Sequence, residues 1–123
     1  MPVLVKICGL SSDDAARAAA SADFVGFNFY PPSPRHVTPA AAARLARLLP
    51  RRVKRVAVVV DPDDAMLDRL LAEFDADLIQ LHGKETPGRT AEIGRRFGRN
   101  LIKALPVREA ADLDAASLYG DVA

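Results

Sequence analysis

The sequence predicts a parallel α/β fold of the barrel kind, and three observations carry that reading. Five short apolar runs rich in Val, Ile, Leu and Phe alternate strictly with helical segments, the pattern of βα units joined by right-handed crossovers. Side chains alternate along a strand, and in four of the five runs one face is polar or small: Lys6 and Cys8, Gly26 and Asn28, Gln80 and His82, Lys103. The opposite faces carry Val5 and Ile7, Phe27 and Phe29, Ile79 and Leu81, Ile102 and Ala104. An open doubly wound sheet has helices on both sides, so its strands read apolar throughout; a barrel has helices outside only and can hold polar groups within. Five units cannot close an eight-stranded barrel. Residues 1–123 are therefore expected to form a single partial (β/α) barrel domain, about the first five units of an incomplete barrel.

The elements follow in order. Val3 to Leu10 reads as a buried strand bounded by Pro2 and Gly9, with the only cysteine at its carboxyl end. Ser11-Ser12-Asp13-Asp14 caps a helix to about Ala22, satisfying free N–H groups and complementing the helix dipole. Phe24–Phe29 is strand two, and three prolines among Pro31-Pro32-Ser33-Pro34 forbid helix in the loop that follows. Thr38-Pro39 opens helix two, to about Leu49. The basic run Arg51-Arg52-Val53-Lys54-Arg55 is expected to be a solvated linker. Strand three is Arg55–Val60, with Asp61-Pro62 ending it; helix three runs from Asp64 to Phe74. Strand four is Leu78–His82, helix four Pro87–Phe97 and strand five Leu101–Leu105. A last helix is expected from about Glu109 to Tyr119, with Asp121-Val122-Ala123 starting a sixth strand.

A net charge of +1 with 27% charged residues argues against a nucleic-acid or membrane surface. One cysteine leaves no internal disulfide framework and suits a reducing cytoplasm. The chain goes straight into a strand without a signal peptide, and no apolar run approaches membrane-spanning length.

A lysine and a thiol on one face, at the carboxyl end of strand one, are unusual for a plain core, although a lone Cys is often just a small buried hydrophobe. Together Lys6-Ile7-Cys8-Gly9, Phe24-Val25-Gly26-Phe27 with Ser33-Pro34-Arg35, Gln80-Leu81-His82-Gly83-Lys84-Glu85 and Ile102-Lys103-Ala104 closely resemble the phosphoribosylanthranilate isomerases, in order and with matching spacing. These are (β/α)8 TIM-barrel enzymes of tryptophan biosynthesis. The resemblance implies an Amadori rearrangement of N-(5-phosphoribosyl)anthranilate, a small phosphosugar substrate. It needs an acid, a base and no cofactor or metal.

By the resemblance Cys8 is the base that takes the C2′ proton. A free thiol has pKa ~8.5, and a neighbouring cation such as Lys6 favours the thiolate. Arg35 resembles the arginine that holds the anthranilate carboxylate, a task suited to its planar fork of donors, the other reading being a solvated loop arginine. His82 is expected to line the substrate pocket, or else to be a satisfied structural histidine; it shares no metal motif. Gln80 and Lys103 read as buried polar groups pairing inside the barrel. The family's acid is an aspartate at the carboxyl end of the next strand. Asp121 stands at that strand's beginning, so it is not assigned the role. The phosphate-binding glycine loops of the last two units are not in this sequence, and the chain alone is expected to be inactive.

Two other readings compete. A receiver-like phospho-accepting domain has five βα units and an acidic pocket that Asp13-Asp14, Asp61 and Lys103 mimic. There the acidic pair would stand at the end of strand one, where Cys8-Gly9 is. A non-catalytic half-barrel that binds a partner, or pairs with itself, through open strand edges is the second.

Overall fold

The computed structural model describes residues 3–123. Pro2, which bounds the expected first strand, lies outside them. Five strands, β1 (Lys6–Cys8), β2 (Phe24–Asn28), β3 (Lys54–Val59), β4 (Leu78–Leu81) and β5 (Asn100–Lys103), form one parallel sheet in the order β1-β2-β3-β4-β5. Between them run α1 (Asp13–Ala18), α2 (Pro39–Ala46), α3 (Asp64–Glu73) and α4 (Pro87–Phe97), and a 3-10 helix, Ala110–Tyr119, follows β5. Each strand lies beside the one before it, so right-handed crossovers put every helix on the same face. That is the plan of a (β/α) barrel. A receiver-type sheet has the order 2-1-3-4-5, so the receiver reading does not hold.

The helices start where short polar side chains can cap them. Ser12, Thr38, Asp63 and Thr86 each accept a hydrogen bond from the backbone N–H three residues on, and Pro39 and Pro87 occupy first-turn positions that need no donor. Each cap stabilises its helix by about 1 kcal/mol. At the other end of the sheet two aspartates align neighbouring strands. Asp23 accepts from Val5 N and Asp77 from Arg55 N, both at 2.8 Å.

The covered face carries the core. Val25, Phe27, Ala57, Val59, Ile79 and Leu81 are fully buried against Leu45, Leu67, Leu70 and Ile93 of the helices. Phe74 meets Phe27 and Phe29 with ring centroids 5.2 and 5.3 Å apart, pinning the end of α3 to β2.

Four expectations are corrected. β1 is only three residues long: the Asp23 side chain takes Val5 N, and Gly9, at φ +81°, turns the chain away. The basic run is not a solvated linker throughout. Arg55 donates to the carbonyls of Ala46, Leu49, Pro50 and Val53 at the end of α2, and Arg52 to those of Ala20 and Ala22 after α1. The last helix is of the 3-10 type, with Leu113 and Leu118 exposed rather than packed. Asp121–Ala123 form a turn, Val122 N and Ala123 N both donating to Tyr119 O at 3.0 Å, not a sixth strand.

Candidate active site

Strand register decides what faces the inside of the sheet. Cys8, Gly26, Val56, Leu78 and Asn100 form one row across it, and Asn28, Val58, Gln80 and Ile102 a second row nearer the carboxyl ends. Paired residues in a parallel sheet share a face, so Cys8, Gly26, Asn28 and Gln80 lie together on the uncovered, inner side. Lys103 does not. It pairs with Leu81, and Ile102 pairs with Gln80, so Lys103 sits on the helix-covered side and Ile102 on the inner one. A one-residue difference in register exchanges the two faces of a strand. The polar inner face is therefore shared by β1, β2 and β4, and Lys103 is not a barrel-interior residue.

At the carboxyl ends a hollow of about 280 Å³ is lined by Cys8, Asn28, Tyr30, Val58, Val60 and His82. Cys8 and His82 are both exposed to it. A Cβ added to Gly26 would stand 3.1 Å from Cys8 Sγ and 3.4 Å from Lys6 Nζ, so thiol and ammonium lie against the same stretch of bare backbone.

Arg35 is brought beside Cys8 by the proline loop. Ser33 N donates to Tyr30 O, Arg35 N to Ser33 Oγ and His36 N to Ser33 O, and Val37 N closes the loop on Asn28 O at 2.9 Å. The Arg35 side chain then passes over Gly9, where a Cβ would be 2.5 Å from Cδ, and Nη1 donates to Cys8 O at 3.4 Å. Gly9 serves twice here: its left-handed backbone suits glycine, and its missing side chain gives Arg35 its path. That contact uses one of the five N–H donors of the guanidinium.

Gln80 is 8% exposed, and its Oε1 has no hydrogen-bond partner among the described residues, so the expected pairing is not found. Asp121 lies with Arg99 and Asn100 at the opposite end of β5 from the hollow. Asp13, in the first turn of α1, pairs with Arg44 at 2.8 Å, which holds its carboxyl below the usual range, chiefly through that hydrogen bond.

Sequence reasoning missed a second cluster at the same end of the sheet. Glu85 and Lys103 form an ion pair at 2.7 Å whose side chains are 1% and 4% exposed. Glu85 also accepts from Asp61 N at 2.7 Å and Gly83 N at 2.9 Å, and Lys103 Nζ donates to Gly83 O at 2.7 Å. Asp61, at φ +43°, accepts in turn from Lys84 N at 2.8 Å, and Tyr119 Oη donates to Glu85 O at 2.7 Å. Burial opposes ionisation of Glu85, but the Lys103 hydrogen bond, with backbone donors of Glu85 and Asp61 and the Lys103 charge, outweighs it. The carboxyl is held below its ordinary 4.5. The legible signal was an acid just past strand four and a lysine on strand five; only the pairing of the strands joins them.

The sequential sheet and its one-sided helices define an α/β protein of the (β/α)-barrel class, and the hollow that Cys8, Asn28 and His82 line is at the carboxyl ends of the strands, where such barrels carry their sites. Comparison with known proteins narrows this. The family model for N-(5'-phosphoribosyl)anthranilate isomerase matches residues 5–122, and the chain belongs to that family. Curated relatives include the N-(5'-phosphoribosyl)anthranilate isomerases of Paramagnetospirillum magneticum, 51% identical over all of this chain and 58% of that protein, and of Caulobacter sp. strain K31, 54% identical over 95% of this chain and 56% of that one. Phosphoribosyl anthranilate isomerase from Thermotoga maritima superposes with a TM-score of 0.87 at 34% identity, over 98% of this chain and 58% of that one. A phosphoribosyl anthranilate isomerase solved in complex with reduced 1-(o-carboxyphenylamino)-1-deoxyribulose 5-phosphate gives the same score and identity, over 98% and 62%. The chain thus spans somewhat over half the length of the relatives it matches.

Proposed function

We propose that this chain carries the base and the carboxylate-holding side of an isomerase site that converts N-(5-phosphoribosyl)anthranilate into 1-(2-carboxyphenylamino)-1-deoxyribulose 5-phosphate. The observation that carries the reading is that the proline loop brings Arg35 from a distant part of the sequence onto the backbone carbonyl of Cys8, at the edge of a hollow that Cys8 and His82 both line.

In the proposed chemistry, protonation of the ring oxygen opens the ribose to an iminium at C1′. Cys8, as thiolate, takes the C2′ proton; the C–H electron pair forms the C1′–C2′ double bond and neutralises the nitrogen. Tautomerisation of the resulting enol to the ketone returns a proton to C1′, so the product is an isomer of the substrate. Lys6 Nζ lies against the same stretch of backbone as the thiol. Arg35 offers its unused donors to the anthranilate carboxylate, and His82 lines the pocket. The reading assigns the acid to no described residue: Asp61 is held in the Glu85 cluster and Asp121 lies at the wrong end. By family resemblance the acid is an aspartate on the strand after β5. Proton transfer alone calls for no cofactor. A base of this kind suits the reducing cytoplasm.

The test is turnover of freshly generated phosphoribosylanthranilate, followed by loss of its fluorescence, for the chain alone and for the chain mixed with the carboxyl-terminal portion of a relative. Activity in the mixture that vanishes in Cys8→Ala is the expected result. Activity that survives Cys8→Ala would remove Cys8 from the role of base.

A second reading has its own observation. β1 and β5 are open edges, and Val3, Leu4, Val5 and Ile7 are exposed along the first of them. Such edges favour self-association. Sedimentation should then show mass rising with concentration; a monomer at every concentration would exclude it.

A further inference from the structure

We propose that Glu85, with Asp61, is a positioning element for the hollow. It locks the loops after β3 and β4 to each other so that Val60 and His82 form one wall facing Cys8. The proposal rests on reading that hollow as the substrate site. The two loops exchange carboxylates: Glu85 of the second takes the N–H of Asp61 in the first, and Asp61 takes the N–H of Lys84 in the second. Glu85 also takes Gly83 N within its own loop, and Lys103 bridges Glu85 and Gly83 O from β5.

The residues that line the hollow are the immediate neighbours of those held. Val60 precedes Asp61, and His82 precedes Gly83. Fixing both peptide groups fixes the direction in which the preceding side chains leave the backbone. The lock also leaves no slack. A Cβ on Gly83 would stand 2.6 to 2.8 Å from the three carboxylate atoms of Asp61, and Asp61 holds a left-handed backbone that aspartate adopts more readily than most residues with a side chain. Neither Glu85 nor Asp61 lines the hollow, so both act through the loops rather than on a ligand.

The chain has two histidines, and that provides a spectroscopic readout free of catalysis. Ring nitrogen–proton correlation spectra of the labelled chain report on His82 at the wall and on His36 in the loop after β2 as an internal control. In Asp61→Gly, which keeps the left-handed backbone and removes the carboxylate, the His82 signals should shift while those of His36 coincide with the native ones. Glu85→Gln, which removes the charge that holds Lys103, should shift His82 further in the same sense. Should Glu85→Gln unfold, both histidines collapse to coil positions, and Asp61→Gly alone decides. His82 signals unmoved in folded Asp61→Gly would overturn the proposal. Failure of the Cys8 turnover test with His82 responding as stated would instead count against the isomerase reading and leave the lock standing.

Discussion

The two halves of the site are built in opposite ways. On the β1–β2 side Cys8 and Arg35 are exposed and joined by a single hydrogen bond of 3.4 Å. On the β3–β5 side Glu85 and Lys103 are buried and saturated, with both carboxylate oxygens occupied. In the proposed reading Cys8 must accept a proton from a substrate and so cannot already be filled by the protein, whereas Glu85, proposed to hold loops, works best when it is. A buried ion pair is seldom more stable than an apolar pair of the same shape. Its use here is as a specification: one loop arrangement satisfies Asp61, Gly83, Lys84 and Glu85 together.

The largest expected effect separates the halves outright. Cys8→Ala should lower turnover, measured with the complementing portion present, by about 10²- to 10⁴-fold, the usual contribution of a general base. Because Cys8 is exposed, its thermal stability should stay within about 0.5 kcal/mol of the parent. Lys103→Met should show itself first in stability and cost about 3–5 kcal/mol in urea unfolding, since it leaves the Glu85 charge buried without its cation. A loss under 1 kcal/mol would mean that the pair is not desolvated in solution.

Acid sharpens the same contrast. The Glu85 carboxyl is held below its ordinary 4.5, so its charge contributes stability that is complete above about that pH and is lost as pH falls through the lowered value. In Lys103→Met, burial is no longer opposed by the cation and protonation relieves the strain. The stability gap between parent and variant should therefore narrow as pH is lowered from neutrality through the carboxylate range, measured by denaturant unfolding at each pH. A gap that stays constant would put the effect of Lys103 elsewhere than on Glu85.

What the sequence made legible follows the same division. The helix-covered face could be read because Phe27, Val59, Ile79 and Leu81 answer to a period of two and the helices to caps such as Thr38 and Thr86. Cys8 and Arg35 could be singled out by resemblance, but their meeting depends on a loop fold that three prolines only permit. The face of Lys103 was misread because alternation fixes which residues of one strand lie together, not which face of the neighbour they join. Glu85 escaped because a loop has no period, and its partners, Asp61 N, Gly83 N and Lys103, are brought in from three segments by the sheet. Arg52 and Arg55 escaped for a related reason: a basic run looks solvated until helix-end carbonyls are placed within reach of its side chains.

The smallest expected effects come from one methyl group added on each side. In Gly83→Ala the new Cβ falls 2.6 Å from Asp61 Oδ2, inside contact distance, and the carboxylate can retreat only by giving up Lys84 N. Overpacking of this kind costs about 1–3 kcal/mol. In Gly26→Ala the Cβ would be 3.1 Å from Cys8 Sγ, and the thiol is exposed and can rotate aside. Its cost in stability should fall at the low end of that range or below it. What it changes instead is the direction of the thiol and its distance from Lys6, so the rate of Cys8 alkylation by iodoacetamide should differ from the parent in Gly26→Ala and match it in Gly83→Ala. Equal alkylation rates in all three proteins would show that the thiol does not rest against Gly26, and the two halves of the site would then differ in burial alone.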